Sequence, residues 1–289
     1  MSQPMPEATS QQTWYTDWQN PQHVQRFDGR SQLDERNLVR FYEAFNDVRL
    51  LNQRGHLSHA ADLLEVGCAT GEMYRYLKIT SPVMRYVGVD VSEPALVRAR
   101  TKYPQGSFVQ VDPSMALPQA LQVAGLPQQF EVVYSKDVLQ HQVQPLEFLA
   151  GLVATASHAV ILRCRTRDVG RTEWDPEHSC QYHYGGWMPY LVINVDELVA
   201  WIQRTVPQAE VIVWRHHMVL GGKEDRFLPK DLYQPDIGGA ETAIGIFKHT
   251  LHPGRVDIRD RRDGHSTCTW DYRMRHAAQR LISRLRGHH

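Results

Sequence analysis

The chain has 289 residues, 42% of them hydrophobic and 22% charged, a balance that excludes a disordered or fibrous protein and is long enough for a full α/β core. Its 32 basic and 32 acidic residues cancel formally, so no global field draws it to nucleic acid or to an acidic surface. No apolar run reaches the roughly 18–20 residues of a membrane span, residues 1–7 lack a secretory pattern, and the four cysteines are dispersed without a CxxC, so a cytoplasmic protein with reduced thiols is expected.

In chain order, residues 1–12 are polar and rich in Pro, Ser and Gln, and read as disordered. Residues 13–61 read as a helical cap, because Leu38, Phe41, Tyr42 and Phe45 recur at helical spacing within one segment, Arg36 to Asn52. From residue 62 to 250 strand-like and helix-like segments alternate. Strands are expected at 62–67, 85–91, 107–111, 130–135 and 158–164, with helices at 71–79, 93–102, 114–124 and 144–156 between them. Short connections and right-handed crossovers then give a parallel sheet covered on both faces. A long loop follows at 166–193, then a helix at 195–205 and two strands at 209–217 and 242–249 around an insertion at 221–239. Residues 251–289 form a basic tail ending in an amphipathic helix, suited to a packed terminal helix with a solvated face, or to peripheral contact with a membrane or a protein.

The chemistry concentrates at the strand ends. The first strand runs through Glu65 into the turn Gly67-Cys68-Ala69-Thr70-Gly71, where small residues let backbone approach a ligand. The second ends in Asp90, about twenty residues on, the spacing of a carboxylate that takes both hydroxyls of a ribose. The third ends in Asp112, suited to the exocyclic amine of a purine, and the fourth carries Ser135, Asp137 and His141 towards the same crevice. A dinucleotide site would need G-x-G-x-x-G, which Gly67-x-Ala69-x-Gly71 is not.

Four segments in order, EVGCATG, YVGVDVS, FVQVD and FEVVYSKDVLQH, resemble the motifs of class I S-adenosylmethionine-dependent methyltransferases over residues 62 to about 165. The resemblance implies an α/β, Rossmann-like, doubly wound and mostly parallel seven-stranded sheet with its last strand antiparallel, carrying a helical N-terminal cap. It implies S-adenosylmethionine as methyl donor and S-adenosylhomocysteine as product. Glu65, Gly67, Cys68, Ala69 and Gly71 would approach the amino-acid part of the donor, Asp90 with Val91 the ribose, Asp112 with Pro113 the adenine, and Ser135 the methionine moiety. The family pattern has Gly where this chain has Ala69, which is tolerable with a negative φ.

The acceptor is read by elimination. Neither an Asn/Asp-Pro-Pro-aromatic motif nor a Pro-Cys nucleophile follows the fourth strand, so a nucleic-acid base is not expected. The loop after the fifth strand gathers Trp174, Tyr182, His183, Tyr184 and Trp187, aromatic faces with polar tips that suit a sugar or a polar ring. O-methylation of a small molecule or a surface glycan is the expectation. A protein or peptide methyltransferase, or a non-catalytic cofactor-binding partner subunit, stands as the alternative. His141, then His183, then Asp137 are the candidates to remove a hydroxyl proton. His178, Cys180 and His183 make H-x-C-x2-H, but no second cluster completes it, and no metal is expected.

Overall fold

The computed structural model describes residues 17–21, 24, 32–54, 62–82, 84–183, 186–223, 225–234 and 237–259. The expected disordered start, most of the basic tail, and Tyr184 lie outside the described residues.

The parallel strands form where apolar runs are buried on both faces. Strand β1 (Asp62–Val66) is buried at every position. It pairs in parallel with β2 (Arg85–Asp90) on one side and β4 (Phe130–Lys136) on the other. Outside these lie β3 (Ser107–Gln110) beside β2, and β5 (Ala156–Arg167) beside β4. The connections are α3 (Glu72–Thr80), α4 (Glu93–Lys102), α5 (Leu117–Val123) and α6 (Pro145–Thr155).

Alternate residues of each strand serve opposite layers. Leu64, Val133 and Val160 pack with α5, α6 and the later helix α7 (Val195–Thr205). Leu63, Val132 and Ile161 pack with α3, α4 and the two cap helices, α1 (Glu35–Glu43) and α2 (Asn46–Arg54). The chain winds outward in both directions from β1 and β4, which opens a crevice at their carboxyl ends.

All seven expected strands are present, the last being β11 (Ala240–Phe247), antiparallel to both β5 and β9 (Glu210–His217). Two further strands extend the sheet. Strand β8 (Ile193–Asn194) pairs with the end of β5, and β12 (Val256–Arg259), drawn from the segment read as tail, adds in parallel beyond β9.

Two expectations are corrected, and the helical cap gains detail: it consists of two helices, interrupted at Ala44 and Phe45. Tertiary packing sets the break: the Phe45 ring lies under Lys136 Nζ at 4.2 Å and the Arg163 guanidinium at 4.6 Å, while Asp47 is buried against Tyr134. The loop 166–193 carries structure of its own, since β6 (Cys180–His183) and β7 (Gly186–Pro189) pair antiparallel and β10 (Arg226–Phe227), from the insertion, adds beside β6. Helix α5 starts at Leu117, three residues after its expected start, with Pro118 in its first turn.

Candidate functional site

A cavity of about 580 Å³ occupies the crevice, within the size range of small-molecule sites. Its floor is the ends of β1, β2 and β4. Trp18 and Tyr42 line it from the N-terminal side, and residues of β6, β7 and β10 line it from the other.

The turn after β1 is built from unusual backbone. Gly67 has φ 83° and donates its N–H to Val89 O at 2.8 Å. A Cβ there would meet Val138 Cγ2 at 2.2 Å, so the position accepts glycine alone. Ala69 has φ 45°, outside the negative range in which alanine is unstrained. The reason is on the neighbouring strand: Ala69 N donates to Asp90 Oδ2 at 2.8 Å and Ser92 N donates to Asp90 Oδ1 at 2.9 Å. Asp90 thereby ties the turn to the end of β2. Burial raises its pKa, against the lowering effect of the N–H groups of Ser92, Ala69 and Val91.

Glu65 is buried and its Oε2 accepts the Tyr86 hydroxyl. Burial pushes its pKa up to about 8, partly offset by the Tyr86 bond and by the charge of Lys136. Asp112 is exposed, and two bonds from Ser114, from Oγ at 2.6 Å and from N at 2.8 Å, lower its pKa. Thr70 lines the cavity with a buried hydroxyl that has no hydrogen-bond partner among the described residues. A loop backbone, an orphaned hydroxyl and carboxylates at successive strand ends fit an amino acid joined to a nucleoside.

Of the donor-binding residues expected, Glu65, Gly67, Cys68, Ala69, Val91, Asp90, Asp112 and Pro113 line the cavity. Gly71 does not; it caps α3 at φ 78° against the Phe108 ring. Ser135 does not either, because its hydroxyl donates to Val66 O at 3.0 Å, joining β4 to β1. Cys68 is buried and its thiol pKa is pushed well up by burial, consistent with a small filler.

The three proton-acceptor candidates all reach the cavity, in different states. Asp137, at φ 58°, is clasped by Arg163 and by Arg165 Nη1 at 2.9 Å. Burial would raise its pKa, but these guanidiniums hold it far below the carboxylate range, which makes it a poor base. His141 is buried beside Trp18, and its Nδ1–H donates to Pro189 O at 2.8 Å. Burial lowers its pKa to about 4, leaving a neutral ring with Nε2 as acceptor. His183 lines the cavity from β6.

Strand pleat sorts the aromatic loop. Gln181 and His183 share one face of β6, Met188 stands opposite Gln181 on β7, and Arg226 stands opposite it on β10; all four line the cavity. Tyr182 and Trp187 are the intervening pair, so their rings, 5.5 Å apart, lie on the other face. Neither lines the cavity, and neither does Trp174, which is exposed. Sequence reading missed Trp18, Tyr42, Lys136, Gln140, Arg165, Gln181, Met188, Tyr190 and Arg226. The alternation within Gln181–His183 was a usable signal for Gln181, which shares the face of the expected His183.

Among the described residues no cluster of three or more metal-ligating side chains exists. Cys180 is buried within the hairpin while His178 is an exposed partner of Asp175, so the H-x-C-x2-H residues do not converge. No helix among the described residues is long and apolar enough to cross a membrane.

Residues 64–158 match the model of a family described as a methyltransferase domain. The trans-aconitate 2-methyltransferase of Paracidovorax citrulli (strain AAC00-1) is 34% identical over 83 residues, which are 27% of this chain; the chain spans about a third, 32%, of that relative. Among solved structures, the [4+2]-cyclase SpnF aligns with 85% of this chain and 99% of its own at a TM-score of 0.52 and 12% identity. Magnesium protoporphyrin IX methyltransferase from Synechocystis PCC 6803, with bound SAM, aligns with 84% of this chain and 99% of its own at a TM-score of 0.49 and 14% identity. At 12% identity the match to the cyclase is a likeness of fold.

Proposed function

We propose that this chain is a class I S-adenosylmethionine-dependent methyltransferase that moves a methyl group from S-adenosylmethionine to an oxygen of a small acceptor, a reading supported by the methyltransferase-domain match over residues 64–158. The donor supplies an electrophilic methyl on a sulfonium. The Gly67–Gly71 turn with Thr70 would hold its amino-acid part, Asp90 its ribose and Asp112 its adenine.

The observation that carries the small-acceptor reading is the N-terminal segment lying along the cavity. Trp18 packs edge-on to His141 at 5.4 Å, and Gln19 Nε2 donates to Val91 O at 2.6 Å, so the N-terminal segment crosses from the acceptor end to the ribose end. A protein substrate needs an open groove, and a donor would occupy the larger part of about 580 Å³. The curated relative is likewise named for a single compound, trans-aconitate. A glycan acceptor would enter by one terminal residue, with the rest of the chain outside.

Tritiated-methyl transfer into fractionated cell extract tests the reading. Label is expected in low-mass acceptors. Label confined to protein would replace this reading with a protein methyltransferase, and no label with S-adenosylhomocysteine bound would leave a non-catalytic cofactor-binding subunit.

A further inference from the structure

Charge is divided across the cavity. Glu65, Glu72, Asp90 and Asp112 line the half formed by β1, β2, β3 and the start of α3. Lys136, Arg165 and Arg226 line the half formed by β4, β5 and β10, where Asp137 is the one lining acid on those strands. Glu147, in the first turn of α6, lies outside this division.

Asp137 is balanced in place by Arg163 and Arg165, and Arg165 also meets Glu241 at 3.2 Å. Arg226 differs. Its Nη1 donates to Leu220 O at 2.9 Å and its guanidinium lies 4.3 Å above the Tyr190 ring, but no carboxylate among the described residues lies within ion-pair distance. Tyr190 is itself fixed, because its hydroxyl accepts Arg165 Nε at 3.1 Å. A guanidinium stacked on a fixed ring is preorganised for a planar anion.

Two of the three base candidates agree with this. Asp137 is locked by arginines and His141 is buried neutral with a depressed proton affinity, so neither is suited to take a proton from a hydroxyl, which leaves His183 on β6 as the remaining candidate. An acceptor oxygen that is already ionised needs no base.

Resting on the methyl-transfer reading above, we propose that the acceptor is a carboxylate, seated on Arg226 and Tyr190, and that the product is its methyl ester. A carboxylate oxygen lone pair forms the new O–C bond, the methyl–sulfur bond breaks, and its electron pair returns to sulfur, leaving a neutral thioether. No proton moves. Sulfonium and carboxylate lose their charges together, which a cavity of low dielectric favours.

The test uses the full chain, tritiated S-adenosylmethionine, and the low-mass fraction of a cell extract split by anion exchange. Label is expected in the anionic pool, in a product that releases volatile tritiated methanol in mild alkali. Arg226→Gln should raise KM for that pool at least tenfold with kcat changed far less, and Arg226→Lys should fall between. In a binding readout without chemistry, the same pool should perturb tryptophan fluorescence of the S-adenosylhomocysteine-bound wild type, and that of Arg226→Gln only at much higher concentration. Alkali-stable label, label in neutral or cationic acceptors, or an unchanged KM in Arg226→Gln would overturn the carboxylate proposal while leaving methyl transfer standing. No label in any pool would overturn the methyl-transfer reading itself.

Discussion

The Asp90 carboxylate holds the Ala69 N–H at 2.8 Å and keeps that residue at φ 45°, so the carboxylate expected at the ribose also fixes the turn expected at the amino-acid part of the donor. An alanine in this region is strained by about 1–2 kcal/mol. Ala69→Gly is therefore expected to stabilise the protein by about 1 kcal/mol and raise Tm by about 2–4 °C. Calorimetric melting checks this, and a lower Tm would show that the turn is not strained.

Gly67 faces Val138 across the turn, with 2.2 Å between a built Cβ and Val138 Cγ2. Gly67→Ala should cost about 2–4 kcal/mol from overpacking and the left-handed φ together. In a Val138→Ala background the cost should shrink towards the φ contribution alone. Urea unfolding of the four-member cycle measures this coupling. Equal costs in both backgrounds would rule out the Val138 contact as the cause.

Glu65 links stability to pH. Its pKa rises from 4.5 to about 8 on folding, so the folded state holds a proton that the unfolded state releases. The stabilising difference is present in full below pH 4.5 and is lost as pH rises to about 8. Each tenfold change in proton affinity is worth about 1.4 kcal/mol. Glu65→Gln should remove this loss, so that the variant gains on the wild type between pH 6 and pH 8.5 in urea denaturation. Parallel pH profiles would contradict the assignment.

Arg163 joins cap and sheet, meeting Asp137, Asp47 at 3.7 Å and Glu241 at 2.9 Å while almost wholly buried. Arg163→Met leaves those carboxylates without their cation and should cost about 3–5 kcal/mol. Because Asp137 has a folded pKa below its unfolded 3.8, its stabilising effect is present above that value and lost as pH falls further. The variant should lose less stability than the wild type over that acid range. A Tm within a degree of wild type at neutral pH would show that the network contributes little.

The half of the cavity formed by β1, β2 and β3 was legible in the sequence because local pattern carries it. Buried parallel strands are short apolar runs, and their ends fall on Glu65, Asp90 and Asp112 wherever such a run stops. The acceptor half was not legible, because it is assembled at long range. Trp18 comes from before the two cap helices and Arg226 from a two-residue strand in the insertion, and neither position is marked by its neighbours. The hairpin of β6 and β7 was read as an aromatic loop, so the pleat that turns Tyr182 and Trp187 to the face away from Gln181 and His183 was not visible. The interruption at Ala44 and Phe45 was hidden for a related reason: helical periodicity continues through it, while the packing of half-buried Phe45 and buried Asp47 against β4 and β5 decides the geometry. Strand β12 was masked by the basic residues around Val256 and Ile258.

Isothermal titration with S-adenosylhomocysteine tests the central claim most directly. The wild-type chain is expected to bind one equivalent, and Asp90→Ala, which loses the anchor of the Ala69 turn and the carboxylate proposed for the ribose, should bind at least tenfold more weakly, a loss of about 1.4 kcal/mol or more. No heat of binding to the wild type, or equal affinity in Asp90→Ala, would contradict the assignment of this cavity to a methyl donor.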